Sequence, residues 1–151
     1  MISTQQNKIR FLQIIQKNPF LFVSLLYNMS FERLLDQIME TDKHIRYATI
    51  CDMEGKEVQT RVREGVTMLL DKDETKETLH YAVNAWKSRN KFAPKIGKGK
   101  YVLAVYEKLR RLTLPVGSNH MLLVTWGTDG GQADIIERIQ NMLSGDYTRE
   151  W

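Results

Sequence analysis

The stretch KGKYVLAVYEKLRRLTLPVGSNHMLLVTWG, residues 98–127, decides the fold class. Three apolar segments follow one another here, separated by turn residues near 107–110 and at 117–119. Strands joined by turns this short pair in an antiparallel manner, so the stretch predicts a three-stranded meander. Its last segment, residues 121–126, is apolar on both faces and should be central, while Pro115 predicts that the ladder of the middle strand is incompletely paired.

A second hairpin precedes the meander, in HIRYATICDMEGKEVQTRVR at residues 44–63. Its turn falls at Glu54 and Gly55, between two segments rich in β-branched and aromatic residues. The first strand, about 44–52, has apolar residues on both faces, with Ile45, Tyr47 and Cys51 on one and Ala48 and Ile50 on the other. The second strand predicts an edge with one solvent-facing side, because Val58, Thr60 and Val62 alternate with Gln59, Arg61 and Arg63.

Three helices complete the pattern. The first, about 30–41, has one apolar stripe and Ser30 as its expected N-cap. The last carries Ile135, Ile136, Ile139, Met142 and Leu143, with Gly145 as its expected C-cap. The order helix, two strands, helix, three strands, helix predicts an α+β fold, in which an antiparallel sheet has helices packed on its faces.

The middle helix, about 73–92, has two apolar stripes rather than one. Leu79, Ala82, Val83 and Trp86 form the first by helical spacing. Tyr81, Ala85, Ser88 and Phe92 form the second, roughly opposite to it. Because one sheet can cover only one of these stripes, the other should be covered by a second chain or by a ligand.

Composition sets the protein class. With 151 residues, 42% hydrophobic and 26% charged, the chain fits one globular domain with an ordinary core. Cys51 is its only cysteine, which excludes an intrachain disulfide, and we expect a cytoplasmic protein with a buried thiol. The net charge of +4 is uneven, because residues 1–28 contribute +3 through Lys8, Arg10 and Lys17 without any acid. The remainder is nearly neutral, so charge alone does not indicate a nucleic-acid-binding protein.

The predicted domain organisation follows from the same uneven distribution of charge. We expect residues 1–28 to be an N-terminal extension, either accessory or an over-called start, residues 29–145 to be the domain, and residues 146–151 to be a frayed tail. In the extension, KIRFLQIIQK can form a short basic amphipathic helix that Asn18 and Pro19 interrupt. The following FLFVSLLY is far too short to span a membrane. A helix lying on a membrane surface remains an open alternative for this segment.

Motifs that would indicate an enzyme or a cofactor site are missing from the sequence. The loop GTDGGQAD, residues 127–134, lacks the lysine and hydroxyl of a Walker loop and the spacing of a dinucleotide fingerprint, and its acids disfavour an anion. His44, His80 and His120 are isolated in sequence, so a metal site would need a chance cluster in space. Cys51 lies in a core strand, where a thiolate is disfavoured. We therefore expect no catalytic residues, no metal and no cofactor.

A run of basic residues is the strongest local charge feature. Residues 87–111 carry nine basic side chains against Glu107 alone. The candidate partner surface within it comprises Lys87, Arg89, Lys91, Lys95, Lys98 and Lys100. Trp86, Phe92, Tyr101 and Tyr106 lie among these residues, a combination that suits single-stranded nucleic acid or an acidic protein surface. A solvated basic rim is the simpler interpretation, because the aromatic residues are needed for the core and for self-association.

The order and lengths of these elements resemble the roadblock (dynein light-chain) family and the wider profilin-like group. HIRYATICDMEGKEV at residues 44–58, REGV and LLD between Arg63 and Asp71, and residues 98–117 are also similar to segments of small archaeal proteins of this type. The resemblance covers residues 29–145. It implies a five-stranded antiparallel sheet in the order 2-1-5-4-3, with the second domain helix on one face and the terminal helices on the other.

The resemblance also implies a function. Roadblock proteins typically dimerise through that second helix and the third strand, and they scaffold or regulate protein partners, often small GTPases, without doing chemistry. Both elements here carry unexplained apolar surface, so we expect a homodimer whose interface comprises Tyr81, Ala85, Ser88, Phe92, Tyr101 and Leu103. The alternatives are a profilin-like sensory domain with a polar ligand cavity and, third, a nucleic-acid binder that uses the basic run.

Overall fold

A computed structural model of the chain describes residues 4–144, except for the side chains of residues 14, 15 and 21–29. The expected C-cap at Gly145 and the tail 146–151 lie outside the described residues. The elements in chain order are α1 (Thr4–Lys17), α2 (Pro19–Thr41), β1 (Ile45–Asp52), β2 (Glu57–Val62), α3 (Lys72–Asn90), α4 (Ala93–Ile96), β3 (Val102–Val105), β4 (Arg110–Val116), β5 (His120–Trp126) and α5 (Gln132–Ser144).

All five strands form one antiparallel sheet in the order β2-β1-β5-β4-β3. The predicted α+β class and strand order are therefore confirmed. The expected gap in the β4 ladder is also present, because β3 pairs with β4 only from Arg110 to Thr113 and stops before Pro115. A proline in β4 consequently interrupts no ladder hydrogen bond to β3.

The sheet separates two hydrophobic clusters. The larger lies under α2 and α5, where Phe31, Leu35 and Ile139 pack against the strands. The smaller lies under α3 and includes Leu79, Val83 and Trp86. The predicted doubly covered strands β1 and β5 lie between the two clusters, which is why their apolar residues do not alternate with polar ones.

Two β-bulges correct the predicted faces of the first hairpin. Near Arg46 the β1–β5 register shifts, so Ile45 joins the larger cluster instead of sharing a face with Tyr47 and Cys51. The β1–β2 register shifts between Ile50 and Cys51, and Val58 packs toward the larger cluster while Thr60 contacts Thr49. An extra residue on one strand reverses the alternation beyond it, which a strict period of two cannot anticipate.

The arginines of this edge, Arg61 in β2 and Arg63 directly after it, do not make a purely solvent-facing side either. The Arg61 side chain pairs with Asp36 of α2 at 2.8 Å. The Arg63 guanidinium donates to the carbonyl oxygens of Met39 and Asp42, at the C-terminal end of α2. A cation there satisfies carbonyl groups that a helix end leaves without partners. These arginines therefore attach the edge strand to the helix above it.

The first domain helix begins earlier than the sequence pattern suggested. α1 ends at Lys17 and α2 begins at Pro19, so the predicted interruption at Asn18 and Pro19 is confirmed. The helix then continues through Ser30, which is an interior residue and not the N-cap. Proline is favoured in a first helical turn, and no glycine or second proline follows to end the helix before Thr41. No helix in the described part of the chain is long and apolar enough to cross a bilayer.

Candidate functional site

Helix α3 carries the candidate site, and its N-terminus is firmly fixed. Asp71 is the N-cap, and its carboxylate accepts from the Glu74 backbone N–H at 2.8 Å. The Glu74 side chain accepts in return from the Asp71 N–H at 3.0 Å. This reciprocal capping box satisfies two backbone donors. The predicted inner stripe is confirmed, because Leu79, Val83 and Trp86 are buried against the sheet.

Trp86 anchors the other end of α3. Its indole N–H donates to the Thr113 hydroxyl at 3.0 Å, across the sheet surface. A Cβ placed on Gly99 would lie 2.5 Å from the Trp86 ring, so the segment leading into β3 approaches the indole more closely than any residue with a side chain could. Trp86 therefore links α3 to β4 and to the segment that precedes β3.

The outer stripe of α3 is largely left uncovered by the described residues. Tyr81 is 76% exposed, Ser88 is exposed and Ala85 is half-buried. Phe92, 59% exposed, lies beyond the helix, which ends at Asn90 instead of the predicted 92. Its N–H still bonds to the Arg89 carbonyl at 3.1 Å, which keeps it at the end of the same surface.

Strand β3 forms an open edge of the sheet, and its Val102 packs against the cluster under α3. One side pairs with β4, and among the described residues no strand pairs with the other side. Tyr101, Val105 and Tyr106 are exposed at the strand and its ends, whereas Leu103 is partly buried against the larger cluster of its own chain. The candidate set missed Val105 and Tyr106, although the apolar character of both faces of residues 101–106 was a signal for them. An apolar edge strand whose outer side is unpaired favours pairing with another chain.

The six basic candidates lie together around the C-terminal half of α3 and the segment after it. Lys87, Arg89, Lys91, Lys95, Lys98 and Lys100 are all exposed. The Arg89 guanidinium carbon lies 5.9 Å from the centre of the Trp86 ring, a cation–π distance. Arg111 differs from them, because it is half-buried and burial lowers the pKa of its guanidinium. Of these residues, Arg89 and Lys98 lie near Trp86 of the inner stripe, Arg89 over its ring and Lys98 in the same cleft.

Concave regions lie at both ends of α3. A cleft of about 630 Å³ lies at its C-terminal end, lined by apolar residues such as Met53 and Trp86 together with Lys98 and His120. Burial lowers the pKa of His120, and the charge of Asp52 opposes this shift. A wider groove of about 1300 Å³ lies at the N-terminal end, beside β2 and the 66–70 loop. The sequence pattern did not predict this groove, although the apolar run Met68–Leu70 between a strand and a helix was a signal for it.

The glycine-rich loop is explained by packing. A Cβ on Gly130 would lie 2.7 Å from Trp126 and 3.1 Å from Ile135, so only glycine fits without displacing core side chains. Gly127 has open space around it. The loop thus closes tightly from the end of β5 onto α5, and its glycine at 130 has a structural role.

The three histidines lie in separate surroundings. His44 bonds to Asp42 through its ring and its N–H, and the backbone hydrogen bond from His44 is the main cause of the lowered Asp42 pKa. His80 lies against Gly55, and His120 stacks edge-on with Phe31 at 4.8 Å. Within the part of the chain that the structure describes, no three His, Cys, Asp or Glu side chains are grouped as a metal site would require.

Solved structures with the same fold come from the roadblock group. The gliding protein MglB of Thermus thermophilus is similar over 76% of this chain and 87% of its own, with a TM-score of 0.61 and 12% identity. MglB of Myxococcus xanthus is similar over 76% and 92%, with a TM-score of 0.58 and 12% identity. A Roadblock/LC7 domain of Streptomyces avermitilis is similar over 73% and 88%, with a TM-score of 0.56 and 16% identity.

These likenesses confirm the roadblock fold that the sequence predicted. No protein-family model matches the sequence, and no curated protein matches it. At identities of 12% to 16% the likeness concerns the fold. The expected closeness to archaeal proteins stays a prediction.

Proposed function

We propose that this chain is a non-enzymatic, homodimeric interaction module of roadblock type. Its dimer seam comprises the outer stripe of α3 and the open edge of β3. The observation that carries the proposal is that aromatic residues at or next to α3 and β3 are each more than two-fifths exposed among the described residues, namely Tyr81, Phe92, Tyr101 and Tyr106. The seam also contains the exposed Ser88 and Val105, together with Ala85 and Leu103, which are half-buried in their own chain.

The size of the seam suits a stable dimer. A buried aromatic side chain removes roughly 150–250 Å² from water, and a standard interface takes roughly 800 Å² from each partner. Four aromatic residues supply a large part of that area before the strand itself is counted. Pairing of two β3 edges would continue the sheet across the dimer and satisfy the outward N–H and C=O groups of both strands.

A neighbour in fold also self-associates. A further structure of similar fold, with a TM-score of 0.61 over 76% of this chain, is described as MglB with a tetrameric arrangement. The likeness is in fold, so it supports self-association as a property compatible with this architecture. The roadblock resemblance implies protein partners, small GTPases among them. We assign the exposed lysines and Arg89 beside the seam to an acidic surface of such a cytoplasmic partner.

Charge substitution in the seam tests the proposal. Tyr81→Glu and Phe92→Glu each place a carboxylate in the dimer contact, and both side chains are already exposed, so the chain should still fold. Light scattering at micromolar concentration should show a lower mass than that of the unmodified protein, while far-ultraviolet circular dichroism should show unchanged secondary structure. Asn141→Glu, on the exposed side of α5, is the matched control and should leave the mass unchanged. Unfolding of the seam variants would instead assign Tyr81 and Phe92 to the core.

A small-ligand sensor is the second candidate, and the cleft beside Trp86 favours it. The cleft has both apolar walls and polar groups, as ligand sites do. The two candidates differ in solution, because the sensor requires no dimer. A strict monomer in which Trp86 fluorescence responds to small-molecule ligands would favour the sensor over the dimeric module.

Nucleic-acid binding is the third candidate, and the burial of Trp86 weakens it. Trp86 is buried between α3 and the sheet, so it cannot stack on a base. The aromatic residues that could still stack are Phe92, Tyr101 and Tyr106. We expect no binding of a single-stranded oligonucleotide even at low salt, measured by fluorescence anisotropy. Strong binding that falls steeply with added salt would support the nucleic-acid function instead.

A further inference from the structure

Helix α1 has an uncovered surface of its own. Every α1 side chain that the structure describes is exposed, including the apolar Ile9, Phe11 and Leu12. Ile9 and Leu12 are three residues apart and therefore lie on one side of the helix. The helix also carries Lys8, Arg10 and Lys17 without any acidic residue. It thus offers apolar contact and positive charge together.

The groove at the N-terminal end of α3 has the complementary character. Its apolar wall includes Val62, Met68, Leu69 and Leu70, all more than a third exposed. Arg46 donates to the Thr67 carbonyl at 2.8 Å, which holds the loop that forms this wall. Five carboxylates and three lysines line the groove, namely Glu54, Glu57, Asp71, Asp73, Glu74, Lys56, Lys72 and Lys76. The groove is therefore apolar inside and acidic on balance at its rim.

We propose that α1 of one copy of this chain binds in the groove between β2 and α3 of another copy. Helix-in-groove recognition needs an amphipathic helix and an apolar groove whose rim carries the opposite charge, and both are present here. A helix of 14 residues is about 21 Å long. One side of α1 can therefore occupy a groove of about 1300 Å³ while its other side stays outside the groove.

The position of α1 directs this contact to a second copy. Only Asn18 separates α1 from α2, and α1 contacts α2. α2 packs on the sheet face opposite to α3. The groove of the same chain therefore lies across the sheet from the helix that would fill it. The groove is also beside β2, at the sheet edge remote from β3, so both the seam and this contact can form in one assembly.

Disulfide trapping between two full-length chains tests the contact. One tagged chain carries Leu12→Cys and a second, differently tagged chain carries Leu69→Cys, both at exposed positions. The natural Cys51 is buried and does not compete. Under mild oxidation, the mixed disulfide should form several-fold faster than with the control partner Glu137→Cys, which is exposed on α5.

Charge substitutions make the test specific for this groove. Lys8→Glu/Arg10→Glu in the first chain should lower the trapping efficiency about tenfold, because two exposed attractions become repulsions. Glu54→Lys/Asp73→Lys in the second chain should restore it. The disulfide-trapping experiment is repeated with Tyr81→Glu in both chains. Because this substitution disrupts the dimer seam, the α1 contact is then tested independently of the seam. Trapping no faster than with Glu137→Cys, or an intrachain disulfide when Leu12→Cys and Leu69→Cys share one chain, would overturn the proposal.

Discussion

At the scale of single residues, close contacts explain features that a motif search would misinterpret. Gly130 lies against Trp126 and Ile135, and Gly99 lies against Trp86. Neither glycine has a positive φ, so proximity and not backbone freedom is what excludes a side chain. The glycine in this loop is therefore explained by tight packing at the end of the central strand.

Substitution of two glycines in that loop separates packing from flexibility. Gly130→Ala should lower the free energy of unfolding by about 2 kcal/mol, because the added methyl overlaps the Trp126 ring. Gly127→Ala has open space and should change it by less than about 1 kcal/mol. Urea denaturation of both variants measures the difference, and equal effects would refute the packing explanation.

The reactivity of Cys51 is a second residue-scale prediction. Burial, aided by the charges of Asp52 and Glu57, raises the pKa of its thiol from 9.0 to about 12. At pH 8 the folded protein should react with a thiol reagent roughly a thousandfold more slowly than the denatured chain. Because the folded pKa is raised, the neutral thiol's contribution to stability is present below pH 9 and is lost as pH rises toward 12. Rapid labelling of the folded protein at pH 8 would contradict the assigned burial.

At the scale of elements, sequence patterns predicted what is local and missed what depends on strand pairing. The strands, their turns and the inner stripe of α3 were predictable because alternation, turn residues and helical spacing are encoded within each segment. The positions of Ile45 and Val58 were not, because a bulge is set by the register with a neighbouring strand. The predicted start of this helix at residue 30 is too late, because serine is a common N-cap residue but Ser30 lies inside the helix. α2 begins at Pro19.

The cap of α3 gives a prediction for that element. Asp71→Ala removes the acceptor for the Glu74 N–H and should lower the free energy of unfolding by about 1 kcal/mol. Glu77→Ala is the matched control, since Glu77 is exposed beyond the first turn and should cost less than about 0.5 kcal/mol. Thermal unfolding followed by circular dichroism compares them. An equal loss in both variants would mean that the capping box does not stabilise the helix.

At the scale of the whole molecule, α3 connects two differently charged ends. Its N-terminus adjoins the groove with its acidic rim, and its C-terminal half carries the basic surface. The roadblock fold could be predicted from the sequence because its element order is distinctive. The groove as a whole could not be predicted, since it combines residues from β2, a loop and α3 that are brought together only by folding. The apolar run Met68–Leu70 was a signal for only one of its walls. The uncovered outer stripe was predictable, because the sheet can cover only one side of a helix.

The molecular mass in solution tests the central claim most directly. Multi-angle light scattering of the full chain at micromolar concentration should give at least twice the chain mass of 17.7 kDa. Lys8→Glu/Arg10→Glu weakens the α1 contact, so that variant should give two chains held by the α3 and β3 seam alone. Adding Tyr81→Glu to it should then give one chain. A strict monomer for the unmodified protein under these conditions would contradict the proposed dimeric module.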